Sequence, residues 1–198
     1  SGSILTLNLN PYNDKEELSA QYGYMPQKFG LYEDLTVIEN LELFADLKNA
    51  KSNVKNQKLN KKNFLILNSQ FSLEIEKMLK ITQLTPFKNR LTGALSGGMK
   101  QKLALACAMI SNPKLLILDE PSVGVDPLSR LELLDFVKNS IAADTTVIWS
   151  SSYLDESYNF DLSVILNKGK IIFQGDTKIL GENFDDFEQK VIELMGGY

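Results

Sequence analysis

Ile4-Leu5-Thr6-Leu7-Asn8-Leu9 alternates apolar and polar residues until Asn10-Pro11 interrupts it, and this period of two predicts a half-buried strand. Residues 14–20 read as a short helical turn, and Tyr22-Gly23-Tyr24-Met25 as a second strand that stops at Pro26. Between Thr36 and Leu47, Val37, Leu41, Phe44 and Leu47 recur at helical spacing. Residues 48–63 are rich in Lys and Asn with few apolar anchors, the pattern of a solvated loop or loose helix end. Residues 71–82 form an amphipathic helical pattern, and Ser96 opens a helix to about Ser111 that Asn112-Pro113 closes.

The pattern then changes. Leu115-Leu116-Ile117-Leu118 is a continuous apolar run leading into Asp119-Glu120-Pro121, as expected of a strand buried on both faces of a parallel sheet. Residues 127–142 are helical, with Asp126 as N-cap and Pro127 at the first helical position. Residues 145–149 read as a second buried strand. Residues 162–166 and 171–174 read as further strands joined by Asn167-Lys168-Gly169-Lys170, and 184–195 as a terminal helix. A helical middle flanked by strand-bearing ends places the chain in the α/β class, and no internal repeat is visible.

Composition narrows the chemistry. The 198 residues carry 21 Lys+Arg against 25 Asp+Glu, a net charge of −4, with no histidine and one cysteine. Without His there is no imidazole acid–base group, no His-containing triad and no His-ligated zinc. The lone Cys107 excludes an internal disulfide and fits a reducing compartment; on the apolar face of its helix it reads as inert core. Mild acidity argues against a dedicated nucleic-acid binder. No apolar run approaches the ~20 residues of a membrane span, and Ser1-Gly2-Ser3 does not resemble a signal peptide. The reading is a soluble cytoplasmic domain, or a piece of one. The five methionines are scattered and read as core or surface filler, and Trp149 reads as packing.

Two stretches point to phosphate chemistry. In Leu95-Ser96-Gly97-Gly98-Met99-Lys100-Gln101 a good N-cap and two glycines precede a helix whose positive end faces outward, an anion-binding surface. A helix cap with no ligand has the same signature. Asp119-Glu120 lies at the carboxyl end of a buried strand, where open α/β sheets gather their sites. Two adjacent carboxylates there suit a Mg²⁺–phosphate site: one holds the ion and the other polarises a water. Ser96 and Asp119 are 23 residues apart, with one helix and a short loop between them.

These residues resemble the nucleotide-binding domain of ATP-binding-cassette (ABC) proteins. Residues 95–101 resemble the family's signature motif, 115–120 its Walker B strand with Glu120 at the catalytic glutamate, and Tyr24-Met25-Pro26-Gln27 its Q-loop. Pro121-Ser122-Val123-Gly124-Val125-Asp126 resembles the D-loop. The resemblance implies an α/β P-loop NTPase core with an inserted α-helical subdomain. Residues 1–34 would hold the first strands and the Q-loop, 35–111 the helical subdomain facing the transporter's membrane part, and 112–198 the rest of the core. It further implies ATP and Mg²⁺ as cofactors, with Asp119 and Gln27 at the metal. Ser96, Gly97, Gly98 and Gln101 would contact the ATP of a partner cassette, with Asp126 nearby. Phe29, Leu31 and Tyr32 would either dock a coupling helix of the membrane protein or simply pack.

The sequence departs from the family pattern at two places. No segment reads G-x-x-x-x-G-K-[ST]: Gly169-Lys170 continues with Ile171, and Gly93 to Gly98 continues with Met99-Lys100. The expectation is a core that begins just after its phosphate loop, and therefore a chain inactive by itself. Ser150-Ser151-Ser152-Tyr153-Leu154-Asp155-Glu156 places Ser152 where the family has its switch histidine. This substitution, with residues 95–103 and 124–130, resembles the first cassette of tandem-cassette ABC-2-type exporter ATPases. The resemblance implies an ATPase subunit on the inner face of the cell membrane, partnered by a second cassette and transmembrane permease subunits, and no nucleic acid. The alternatives are a degenerate, non-hydrolysing regulatory cassette and a non-transport ABC ATPase, such as a ribosome-associated one.

Overall fold

In the computed structural model of the chain, the structure describes residues 2–53 and 61–196. They divide into two compact units, Ser1–Ser150 and Ser151–Tyr198.

The first unit is built on a parallel sheet of β1 (Tyr22–Met25), β2 (Leu115–Asp119) and β3 (Thr146–Ser150), in that spatial order. Helix α1 (Lys15–Gln21) precedes β1. Helices α2 (Val37–Asn53), α3 (Lys61–Ile81) and α4 (Gly97–Met109) lie between β1 and β2 in sequence, and α5 (Pro127–Ser140) between β2 and β3. Both crossovers advance the same way along the sheet, so right-handed connection puts their helices on one face. The core forms there: Met25, Leu116 and Leu118 pack with Val37 and Leu41 of α2, Met78 of α3, Leu103 and Ala106 of α4, and Leu133 and Val137 of α5. The buried stripe of α2 runs Val37, Leu41, Ala45, so the expected Leu47 turns outward.

The opposite face is less covered, which corrects the expectation of strands buried on both sides. Tyr24 and Ile148 are about half exposed there, and Ile117 is half-buried. A cavity of about 660 Å³ on this face is floored by Tyr22, Leu115 and Ile117. That cavity sits at the amino ends of the strands, and the carboxylates sit at the other end.

Residues 4–9 are a second correction. They form a tight turn instead of a strand: Leu7 and Asn8 both have positive φ, Thr6 and Leu9 exchange two backbone hydrogen bonds of 2.9 Å, and Ile4 and Leu5 are exposed. Alternation specifies a strand only where a neighbouring strand accepts the ladder, and none does here among the described residues. Of residues 48–63, read as a solvated loop or loose helix end, 48–53 and 61–63 are helical, and 54–60 lie outside the described residues.

The second unit holds α6 (Leu154–Ser157), the antiparallel hairpin β4 (Leu162–Asn167) and β5 (Lys170–Asp176), and α7 (Phe184–Leu194). Lys168 and Gly169 make the hairpin turn with both φ positive, the geometry that matches strand twist. Asn183 caps α7 by accepting from the Asp186 N–H, and Phe187 and Val191 bury against Leu180.

Candidate functional site

The carboxyl ends of the three parallel strands bring the acidic residues together. Asp119 is the last residue of β2 and registers with Ser150, the last of β3; Met25, the last of β1, registers with Leu118. Gln27 therefore emerges beside Glu120, and its Nε2 donates to Glu120 Oε2 at 2.5 Å across 93 residues of sequence. A direct side-chain contact thus joins the Q-loop-like and Walker B-like segments.

Ser150 supplies a contact that sequence reasoning missed. Its Oγ donates to Asp119 Oδ1 at 2.9 Å and accepts from the Glu120 N–H at 2.8 Å. One hydroxyl therefore fixes a carboxylate and the backbone that follows it. Glu120 has φ +47°, a left-handed conformation costing on the order of 1 kcal/mol for a residue with a side chain. The bond to Ser150 helps hold it there. Only the strand register could have exposed this role.

The loop after Glu120 tightens through Val123 N–H to Glu120 O and Val125 N–H to Ser122 O, and turns at Gly124, where φ is +80°. Asp126 then caps α5, accepting from the Ser129 N–H at 3.0 Å. Bonds from the Ser129 side chain and then its backbone hold the Asp126 carboxyl below its ordinary value.

At the second stretch the expected helix cap is formed. Ser96 caps α4 with its Oγ accepting from the Met99 N–H at 3.3 Å, and the first turn of α4 contains no acidic residue to neutralise its positive end. Gly97 and Gly98 face open space, with no atom near where a Cβ would stand. Gln101, expected at the same surface, is instead buried at 2% exposure. From Gln101 inward α4 is enclosed almost all round by the core, and the Gln101 Nε2 is buried without a hydrogen-bond partner among the described residues. Cys107 lies on the same helix, and burial pushes its thiol far up.

Phe29 and Leu31 are partly buried against the main core, and Tyr32 is half exposed. Ser152 belongs to the second unit, where it is exposed ahead of α6. Its neighbour Ser151 donates to Glu156 Oε2 and accepts from the Tyr153 N–H.

A magnesium nucleotide suits the donor set at the strand ends. Mg²⁺ takes one or two carboxylates plus phosphate oxygens and waters in preference to an all-protein cage. Asp119 keeps Oδ2 for such a role while Oδ1 is held by Ser150. Among the described residues no cluster of three or more His, Cys, Asp or Glu side chains could form a protein-only cage.

The family model described as "ABC transporter" matches residues 1–123. The chain is 44% identical over 180 residues to the probable multidrug ABC transporter ATP-binding protein YbhF of Escherichia coli, covering 91% of this chain and 28% of that protein. It is 31% identical to ABC transporter G family member 20 of Dictyostelium discoideum, covering 93% and 23%. A solved ATP-binding subunit of an ABC transporter superposes with a TM-score of 0.75 at 25% identity, covering 98% of this chain and 76% of that one. The chain thus spans about a quarter of the length of these two relatives and most of the single subunit. With a family model matching well over half of its residues, and with a fold shared with an ATP-binding subunit, this chain belongs to the ABC transporter family.

Proposed function

We propose that this chain is the ATP-hydrolysing portion of an ABC exporter, working in the cytoplasm on the inner membrane face with a second cassette and transmembrane permease subunits. The observation that carries the reading is the group Gln27, Asp119, Glu120 and Ser150 assembled at the strand carboxyl ends. Asp119, oriented by Ser150, offers one oxygen to the metal, with the Gln27 amide beside it. Glu120, held by Gln27, accepts the proton of the attacking water. Mg²⁺ held there would neutralise charge on the phosphate oxygens. The exposed Ser96-Gly97-Gly98 turn presents backbone N–H groups to the γ-phosphate of nucleotide held by the partner cassette, and Asp126 also contributes to binding nucleotide. Residues 35–111 form the part that meets the membrane subunits. Ser152 stands in the histidine's place and donates a hydrogen bond without an imidazole's charge.

The 198 residues alone contain no phosphate-loop motif, so the isolated chain is expected to turn over no ATP and to bind it weakly. Calorimetry on the isolated chain tests this; micromolar Mg-ATP binding would overturn it. For the role of Glu120, ATP turnover of the intact protein is compared with its Glu120→Gln variant. Loss of turnover with nucleotide retained supports the catalytic reading. Unchanged turnover refutes it, and no turnover in either form favours the regulatory cassette that Ser152 suggests.

A further inference from the structure

Asn40 is a fully buried polar side chain on the apolar face of α2, between Val37 and Leu41. An uncompensated amide there would be costly, yet every part of it is engaged. Its Nδ2 lies 3.0 Å from Tyr32 O, 3.0 Å from Thr36 O and 3.0 Å from Thr92 Oγ1, and its Oδ1 accepts from the Tyr32 N–H at 3.0 Å. Tyr32 and Thr36 bound the segment that follows Gln27. Thr92, also fully buried, begins the short turn that leads to Ser96. Further bonds run between the same two segments: Thr92 N–H to Leu35 O at 2.8 Å, Gly93 N–H to Glu33 O at 2.9 Å, and Lys100 Nζ to Glu33 Oε1 at 2.6 Å. Gly93 favours this approach, because a Cβ there would stand 3.2 Å from Glu33 O, a tight contact.

We propose that Asn40 is a positioning residue that fixes the turn before Ser96 to the segment after Gln27, so that one buried amide, together with the backbone bonds beside it, sets these two parts of the site against each other. Its relevance to catalysis rests on the proposed roles of Gln27 and Ser96; the clamp itself does not. Helix-terminal anion sites work only when their N–H groups are held within a few tenths of an ångström. The turn at 92–96 has no regular sheet or long helix to hold it from the amino side. The hydroxyl of Thr92 is the point where the amide grips that turn.

The experiment is backbone-amide NMR and hydrogen exchange on the 198-residue chain, comparing wild type, Thr92→Val and Thr92→Ser. Valine keeps the shape of threonine and removes the hydroxyl; serine keeps the hydroxyl. Thr92→Val is expected to speed exchange at Tyr32, residue 92 and Gly93 by about tenfold, the loss of one net hydrogen bond of about 1.4 kcal/mol, and to shift the Gly97 and Gly98 resonances. Exchange at Leu105 to Met109 in α4 should stay as in wild type, and Thr92→Ser should restore the rest. Unchanged Gly93 and Gly97 signals would overturn the proposal. An equal acceleration throughout α4 would also overturn it, since that marks only lost stability, as would a failure of serine to restore the wild-type pattern. Asn40→Ala removes the amide itself and should reproduce the Thr92→Val pattern; if it does not fold, the threonine pair still decides. None of these measurements needs nucleotide, so they fail or succeed independently of the ATPase reading.

Discussion

Gly23 is where the sheet and the helical layer come closest. A Cβ there would lie 2.1 Å from the carbonyl oxygen of Ala108 in α4 and 3.1 Å from Leu116 Cδ1. Carbon and oxygen in contact need roughly 3.3 Å, so Gly23→Ala must force β1 and α4 apart by about 1 Å. The obstacle is backbone inside a packed helix, which cannot rotate away as a side-chain tip would. Overpacking of this kind costs about 1–3 kcal/mol, and a backbone clash belongs at the upper end, about 3 kcal/mol. For a unit of this size that corresponds to a Tm lowered by about 6–12 °C. Trp149 is the only tryptophan and packs half-buried against the same core, so its fluorescence reports unfolding of this unit directly. Gly98→Ala is the matched control. Nothing stands near its Cβ position, and it lies in the first turn of α4, so alanine there should stabilise by about 0.5–1 kcal/mol. A Gly23→Ala protein melting within a degree of wild type would refute the close approach of β1 to α4.

Two further outcomes follow from titration and burial. Asp126 has a folded-state value held below the ordinary 3.8, so its stabilising contribution is present above that value and fades as pH falls through the folded one. Asp126→Ala should therefore melt below wild type at neutral pH, with the gap closing on the acid side of 3.8; a gap constant from neutral to strongly acidic pH would contradict the cap. Cys107, buried and with its thiol pushed far up, should resist a thiol reagent such as dithionitrobenzoate in the native chain and react once the chain is unfolded. Prompt labelling of the folded protein would show that α4 is not enclosed as described.

Much of the fold was legible because its signals were local. The Ser96 and Asp126–Pro127 caps and the Lys168-Gly169 turn each encode their geometry within a few residues and formed as read, and the apolar run of β2 formed a strand, though its second face is only partly covered. What was not legible depended on partners. The alternation at residues 4–9 is compatible with a strand or a turn, and the absence of a neighbour decided for the turn. Residues 145–149 look fully buried by composition, yet β3 exposes Ile148 because both crossovers carry their helices to the other face. Leu47 fits the helical period, but three-residue steps drift off the stripe that Val37, Leu41 and Ala45 set four apart.

The site shows the same division more sharply. Asp119 and Glu120 are adjacent in sequence, and adjacency suggests two carboxylates sharing one place. The structure separates them. Asp119 ends β2 in regular register and turns to Ser150 on β3, while Glu120, with its φ of +47°, turns to Gln27 beyond β1. Because β2 is the central strand, one carboxylate is held from each side, and neither partner competes for the other's oxygen. The two acids are thereby free for the different tasks proposed for them, one holding a cation and the other receiving a proton, without a shared hydrogen bond between their carboxylates. Nothing in the dipeptide itself encodes that split. It comes from the parallel order β1-β2-β3 and from a single left-handed residue at the strand's end, and both Gln27 and Ser150 are needed to read it.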